Sequence, residues 1–104
     1  MSNYSPQLVE FILHQLNHPY QAPFQAEVEI NHYSQHARWK VTHKGALDSI
    51  TQETECVVTT KGAYVEPGRQ PQPGERKLHL LIQGPTEMGV ELCRMEIIRR
   101  LEED

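Results

Sequence analysis

The chain is 104 residues long, 38% hydrophobic and 23% charged, with a formal net charge of -4. That length allows one domain with a modest core. No apolar run approaches the ~20 residues of a membrane-spanning helix, residues 1–20 lack the basic start and apolar block of a signal peptide, and the acidic balance leaves any nucleic-acid role to a local basic patch of weak affinity.

Ser5-Pro6 reads as a helix start, with Ser as the cap and Pro in the first turn. Leu8, Val9, Ile12, Leu13 and Leu16 follow at helical spacing. Pro19 excludes helical geometry from the residue before it, so the helix is expected to stop near Asn17, and residues 18–25 form a linker. The apolar stripe of this helix needs cover. It either packs back on the domain or meets a partner, and the short linker favours packing back.

Phe24, Ala26, Val28 and Ile30 alternate with Gln25, Glu27 and Glu29, the period of a half-buried strand. Ser34 then caps a short helix carrying Ala37, Trp39 and Val41, and a second helix over 45–54 carries Leu47 and Ile50. The β-branched run from Cys56 to Tyr64 predicts the second strand. Residues 66–76 hold three prolines and two glycines and form a loop. Leu78, Leu80 and Ile82 alternate through a third strand that Gly84-Pro85 ends. Thr86 caps a last helix, with Met88, Leu92, Met95, Ile98 and Leu101 expected as its inward stripe. Its acidic end, Glu102-Glu103-Asp104, opposes the helix dipole and is expected to fray.

The order from residue 24 is β-α-α-β-β-α. Three short strands cannot hide both faces of their sheet, so the fold class is α+β, a three-stranded antiparallel sheet with the helices on one face, plus the N-terminal helix. The expected division is 1–23 for that helix and its linker and 24–104 for the domain. Cys56 and Cys93 sit inside apolar periodic segments and outside any CxxC, which reads as two reduced core thiols. His14/His18 and His32/His36 are each four apart, but no Cys accompanies them and no HExxH is present, so no metal site and no cofactor is expected. No nucleophile elbow or Ser/His/Asp set is signalled, so neither catalysis nor a small-molecule substrate is expected.

Leu47, Ile50, Thr54 and Val58 stand in the pattern LxxIxxxTxxxV. With the order of elements, this resembles a type I K-homology (KH) domain, a nucleic-acid-binding fold. Over residues 26–103 the pieces EVEIN, ARWKVTHK, GERKLHL and GPTE, with the closing helix, narrow the resemblance. They are similar to the C-terminal KH-like domain of a DEAD-box ATP-dependent RNA helicase of pre-mRNA splicing, one that acts when the U2 particle is loaded in prespliceosome assembly. The chain itself has no GxxxxGK[ST] loop and no DEAD box, so it carries no ATPase engine. The resemblance implies a non-catalytic accessory domain in the nucleus, with spliceosomal proteins or weakly held single-stranded RNA as partners. An autonomous single-stranded RNA-binding KH domain is the alternative.

A KH domain clamps about four nucleotides with a GXXG loop between its first two helices. Counting back from Leu47 and Ile50 puts that loop on Val41-Thr42-His43-Lys44, with both glycines replaced and Gly45 out of register by one. Bulky Val41 would block close approach of the backbone to phosphate. Either Thr42, His43 and Lys44 contact phosphate through side chains, or the loop is a plain helix connection on a scaffold. The resemblance places Lys40 and Lys44 on one side of the groove and Lys61, Arg69, Arg76 and Lys77 on the other, the candidate RNA-binding set. Trp39 is either a stacking platform or a helix-packing core residue, the latter being favoured. Tyr64 either contacts RNA or shields a sheet edge.

Overall fold

A computed structural model of the chain describes residues 6–9 and 22–103. From Phe24 onward the order is β1 (Phe24–Glu29), α1 (Gln35–Thr42), α2 (Lys44–Thr54), β2 (Val57–Lys61), β3 (His79–Gly84) and α3 (Glu87–Glu102). The strands form one antiparallel sheet in the order β1-β3-β2. β3 pairs with β1 from Phe24↔Gly84 to Glu29↔His79, and with β2 from Val57↔Gln83 to Lys61↔His79. The strand that arrives last is therefore the central one.

Strand alternation sorts the sheet into two faces. Val28, Val58, Leu80 and Ile82 point one way and join Val41 of α1, Ile50 of α2 and Ile97 of α3 in a single core cluster. All three helices thus cover the same face, as the element order predicted. Gln25, Glu27 and Glu29 fall on the other face with His79, Leu81 and Gln83. At its corner Leu8 is fully buried with Ala22 against Val57. Residues 6–9 are helical, so the described part of the N-terminal segment packs back on the domain. Ile12, Leu13 and Leu16 of the expected stripe, and the stop near Asn17, lie outside the described residues.

The caps follow the sequence signals. Ser34 Oγ accepts from the Ala37 N–H at 3.1 Å and Thr86 Oγ1 from the Gly89 N–H at 3.0 Å, each meeting an otherwise orphaned helix donor. α2 ends on Glu55, which adopts the left-handed conformation at φ 60° and bonds back to the Thr51 carbonyl at 2.9 Å. A non-glycine residue there costs about 1 kcal/mol. It turns the chain within two residues, so Cys56 enters the core and β2 begins. Cys56 and Cys93 are free and fully buried.

Three expectations need correction. β2 stops at Lys61, short of Tyr64, because Gly62 at φ 79° brings its backbone under the carbonyls of Arg76 and Lys77, where a Cβ would lie 2.5 Å from the Lys77 oxygen. The inward stripe of α3 is Val90, Cys93, Ile97 and Leu101, with Ile98 partly buried against the core, so of the expected stripe only Ile98 and Leu101 keep their place. Met88, Leu92 and Met95 are 73%, 53% and 55% exposed, on the side of the helix away from the core. Finally, α3 stays helical to Glu102. Its acidic end is held by the Tyr33 hydroxyl on Glu102, by Arg99 on Glu103 at 2.7 Å and by Lys40 on the Glu103 carbonyl.

The loop after β2 is tied down rather than free-standing. The Ala63 N–H bonds to the Arg76 carbonyl, and the buried Asn31 side chain pairs with the backbone of Val65. Tyr64 is thereby placed beside α1, where the Arg38 guanidinium carbon sits 4.1 Å above its ring.

Candidate nucleic-acid interface

An open groove of about 440 Å³ runs between α2 and β2, lined by Thr42, Lys44, Leu47, Asp48, Thr51, Val57 and Val58. Its apolar wall comes from Leu47, Val57 and Val58, while Thr42, Thr51, Lys44 and Asp48 supply hydroxyls and charge. An apolar groove wall with a few hydrogen-bonding groups suits unpaired bases better than a duplex, whose bases are already stacked and paired.

The connection at the head of this groove is shorter than expected. Val41 is not a loop residue. It is fully buried in the last turn of α1, and Thr42 is the final helical residue, its Oγ1 donating to the Arg38 carbonyl at 2.9 Å. Lys44 already begins α2, so only His43 separates the helices. A four-residue grip on Val41-Thr42-His43-Lys44 therefore does not form. The reason is that His43 serves both helices. Its N–H caps α1 through the Trp39 carbonyl at 3.2 Å, and its Nδ1 accepts from the Ala46 N–H at 3.2 Å to cap α2. Nδ1 accepts only when it carries no proton, so the geometry assigns the hydrogen of the neutral ring to Nε2. Gly45 makes room for this arrangement: a Cβ there would stand 3.2 Å and 3.3 Å from two atoms of the imidazole. The helix donor that a phosphate would seek is thus already satisfied by a side chain of the chain itself.

Trp39 is 57% exposed, contrary to the core position expected for it. Its ring stacks on His43 with centroids 4.2 Å apart and planes 27° from parallel. On α1 the inward positions are Ala37 and Val41, and position 39 falls between them on the opposite side of the helix.

The basic residues do not converge on one groove. Thr42 and Lys44 line it, and the Lys44 ammonium is 2.9 Å from Asp48. Lys40 and His43 instead border a second hollow of about 250 Å³ with Arg99, Arg100 and Glu103. Arg69 pairs with Glu75 at 3.5 Å in the long loop. Arg76 grips Glu27 with both terminal nitrogens, at 3.0 and 2.8 Å, across the sheet face away from the helices. That contact holds the Glu27 carboxyl below its usual range and raises Arg76. Lys61 is the exposed last residue of β2, opposite His79 in register. Leu47, Asp48, Thr51, Val57 and Val58 were not among the candidates. Helical spacing through 44, 47, 48 and 51 marks one face of α2, and that spacing was the available signal.

His14 and His18 lie outside the described residues. Among the described residues no three His, Cys, Asp or Glu side chains are grouped to hold a metal, and no helix is long and apolar enough to cross a membrane.

Comparison with known proteins adds to this geometry. A family model described as KH-domain matches residues 24–101. The chain is 51% identical over 83 residues to a Dictyostelium discoideum protein named ATP-dependent RNA helicase ddx46, covering 80% of the chain and 7% of that protein. It is 49% identical over 80 residues to the Arabidopsis thaliana DEAD-box ATP-dependent RNA helicase 42, covering 77% of the chain and 7% of the relative. It is 42% identical over 81 residues to the Homo sapiens protein named probable ATP-dependent RNA helicase DDX46, covering 78% of the chain and 8% of the relative. The chain thus spans less than a tenth of the length of these relatives. No solved structure matches it.

Proposed function

The chain belongs to the KH-domain family, and from that premise we propose that it is a non-catalytic accessory domain of an RNA helicase of pre-mRNA splicing, acting in the nucleus and holding single-stranded RNA weakly. The observation that carries the RNA part is the α2–β2 groove, whose apolar wall and threonine hydroxyls offer bases a surface and a few hydrogen bonds. The accessory part is supported by the similarity to proteins named as helicases, together with a chain that contains neither a phosphate loop nor a DEAD box.

Affinity is set by how few phosphates the domain neutralises. The net charge is -4, Arg69 and Arg76 are engaged by carboxylates, and Lys44, the cation in the groove wall, is itself paired with Asp48. Each phosphate contact on a single strand contributes a slope of about -0.7 in log K against log salt, so a slope of about -0.7 is expected for a single contact at Lys44. Protein contacts with the spliceosome are proposed to share the docking task.

The test is a titration of the isotope-labelled chain with single-stranded RNA octamers at low salt, followed by amide shifts. Shifts are expected at Thr42, Lys44, Leu47, Thr51 and Val58, and Lys44→Glu is expected to weaken them about tenfold or more. Spectra unchanged at millimolar RNA would overturn the reading.

A further inference from the structure

We propose that Trp39 and His43 form a shelf on which one nucleobase of single-stranded RNA stacks as the strand leaves the α2–β2 groove; the inference rests on that groove being an RNA site. It replaces the missing backbone grip with a side-chain one.

Three observations meet at this place. The first is the ring itself. An indole on an eight-residue helix is 57% exposed, and the aromatic partner it has found is the imidazole of His43. The pair is close to parallel at 4.2 Å, so one broad indole face and the flank of the stack are presented outward. Aromatic faces of this kind accept any base, because every base has a π-face.

The second is rigidity. His43 is fixed by its Nδ1 bond to the Ala46 N–H and by the close fit over Gly45. Trp39 lies one turn before it on the same helix face. A platform already in place does not lose rotamer freedom when a base arrives, which raises affinity relative to a mobile ring.

The third is continuity with the groove and local charge. His43 sits between Thr42 and Lys44, both of which line the groove. On its other side it borders the hollow with Lys40, Arg99 and Arg100. Arg99 and Arg100 are occupied by Glu96, Glu103 and Glu53. Lys40 donates to the backbone carbonyl of Glu103, so the contact does not cancel its charge, and it is placed to meet the phosphate that follows the stacked base.

Trp39 is the chain's one tryptophan, so its emission reports on the shelf directly. Unlabelled single-stranded oligo(U) and oligo(A) octamers are titrated at low salt against the wild-type chain, Trp39→Ala and Trp39→Phe, with amide shifts of Thr42, Lys44 and Thr51 recorded in parallel. The expected result is quenching of Trp39 emission along the same saturation curve as the amide shifts. Trp39→Ala should bind about tenfold or more weakly, with Trp39→Phe in between. Groove shifts that saturate without any change in emission, and with unchanged affinity for Trp39→Ala, would sink the shelf and leave the groove standing. If neither signal responds to RNA, both the shelf and the groove reading fail. The wild-type emission needs no substituted protein, so the outcome does not depend on how the variants fold.

Discussion

Asn31 closes a ring of two hydrogen bonds with the backbone of Val65: its Nδ2 donates to the Val65 carbonyl and its Oδ1 accepts from the Val65 N–H, both at 2.9 Å. An amide is the side chain that supplies a donor and an acceptor side by side, as a neighbouring strand would. Both residues are buried, so truncation strands two backbone groups away from water. Asn31→Ala is expected to cost about 2 kcal/mol, and Asn31→Asp, which keeps the acceptor and loses the donor, is expected to be no better. Urea unfolding checks this, with a midpoint lowered by about 1 M and an unchanged slope.

His43 gives a second test, independent of RNA. If its Nδ1 caps α2, His43→Ala loses the cap and is expected to cost about 1 kcal/mol. In a domain of this size that lowers the melting temperature by about 4 °C. His43→Asn, which offers a side-chain oxygen to the same Ala46 N–H, is expected to recover most of the loss. Equal melting temperatures for the alanine and asparagine variants would show that the cap contributes nothing.

The last helix separates what periodicity reveals from what it does not. Met88, Leu92 and Met95 recur at helical spacing, and so do Val90, Cys93, Ile97 and Leu101. A helix with apolar residues on two sides has no preferred face until the sheet beneath it is in place, and here the side bearing Val90, Cys93 and Ile97 joins Leu80 and Ile82 in the core. Leu92→Ala is therefore expected to change stability by less than about 0.5 kcal/mol, whereas Ile97→Ala should cost about 2–5 kcal/mol. Chemical denaturation of the two variants side by side reads the face directly.

The same contrast holds elsewhere in the chain. Ser34 and Thr86 announced their caps because a hydroxyl before an apolar run has a local job. Val28, Leu80 and Ile82 announced the core face of the sheet through period two. The head of the groove is not legible locally, because Val41 and Thr42 continue α1 and no local rule says that one histidine can end one helix and begin the next. The positions of the basic residues are not legible for a different reason. Arg76 meets Glu27 from a distant stretch of chain, and such pairings exist only after folding.

Stability is expected to fall in acid through one carboxyl in particular. Glu96 accepts from Arg99 at 2.9 and 2.7 Å and from Arg100 at 2.6 Å. These guanidinium contacts, Arg99 first, hold its carboxyl down to about 2 against an ordinary 4.5. The folded value lies below the unfolded one, so the contribution is complete above about 4.5 and is lost as the pH falls toward 2. Urea midpoints measured from pH 6 to pH 2.5 should drop for the wild type, and the drop should be shallower for Glu96→Gln.

The placement of β3 between β1 and β2 has a consequence for synthesis. The two outer strands are not hydrogen-bonded to each other, and their shared partner is the last of the three to be synthesised. Until residues 79–84 emerge, every ladder bond of the sheet is unmade. Closing a ladder across most of the domain is slow compared with local helix formation, so the sheet of this domain forms only once β3 has been made.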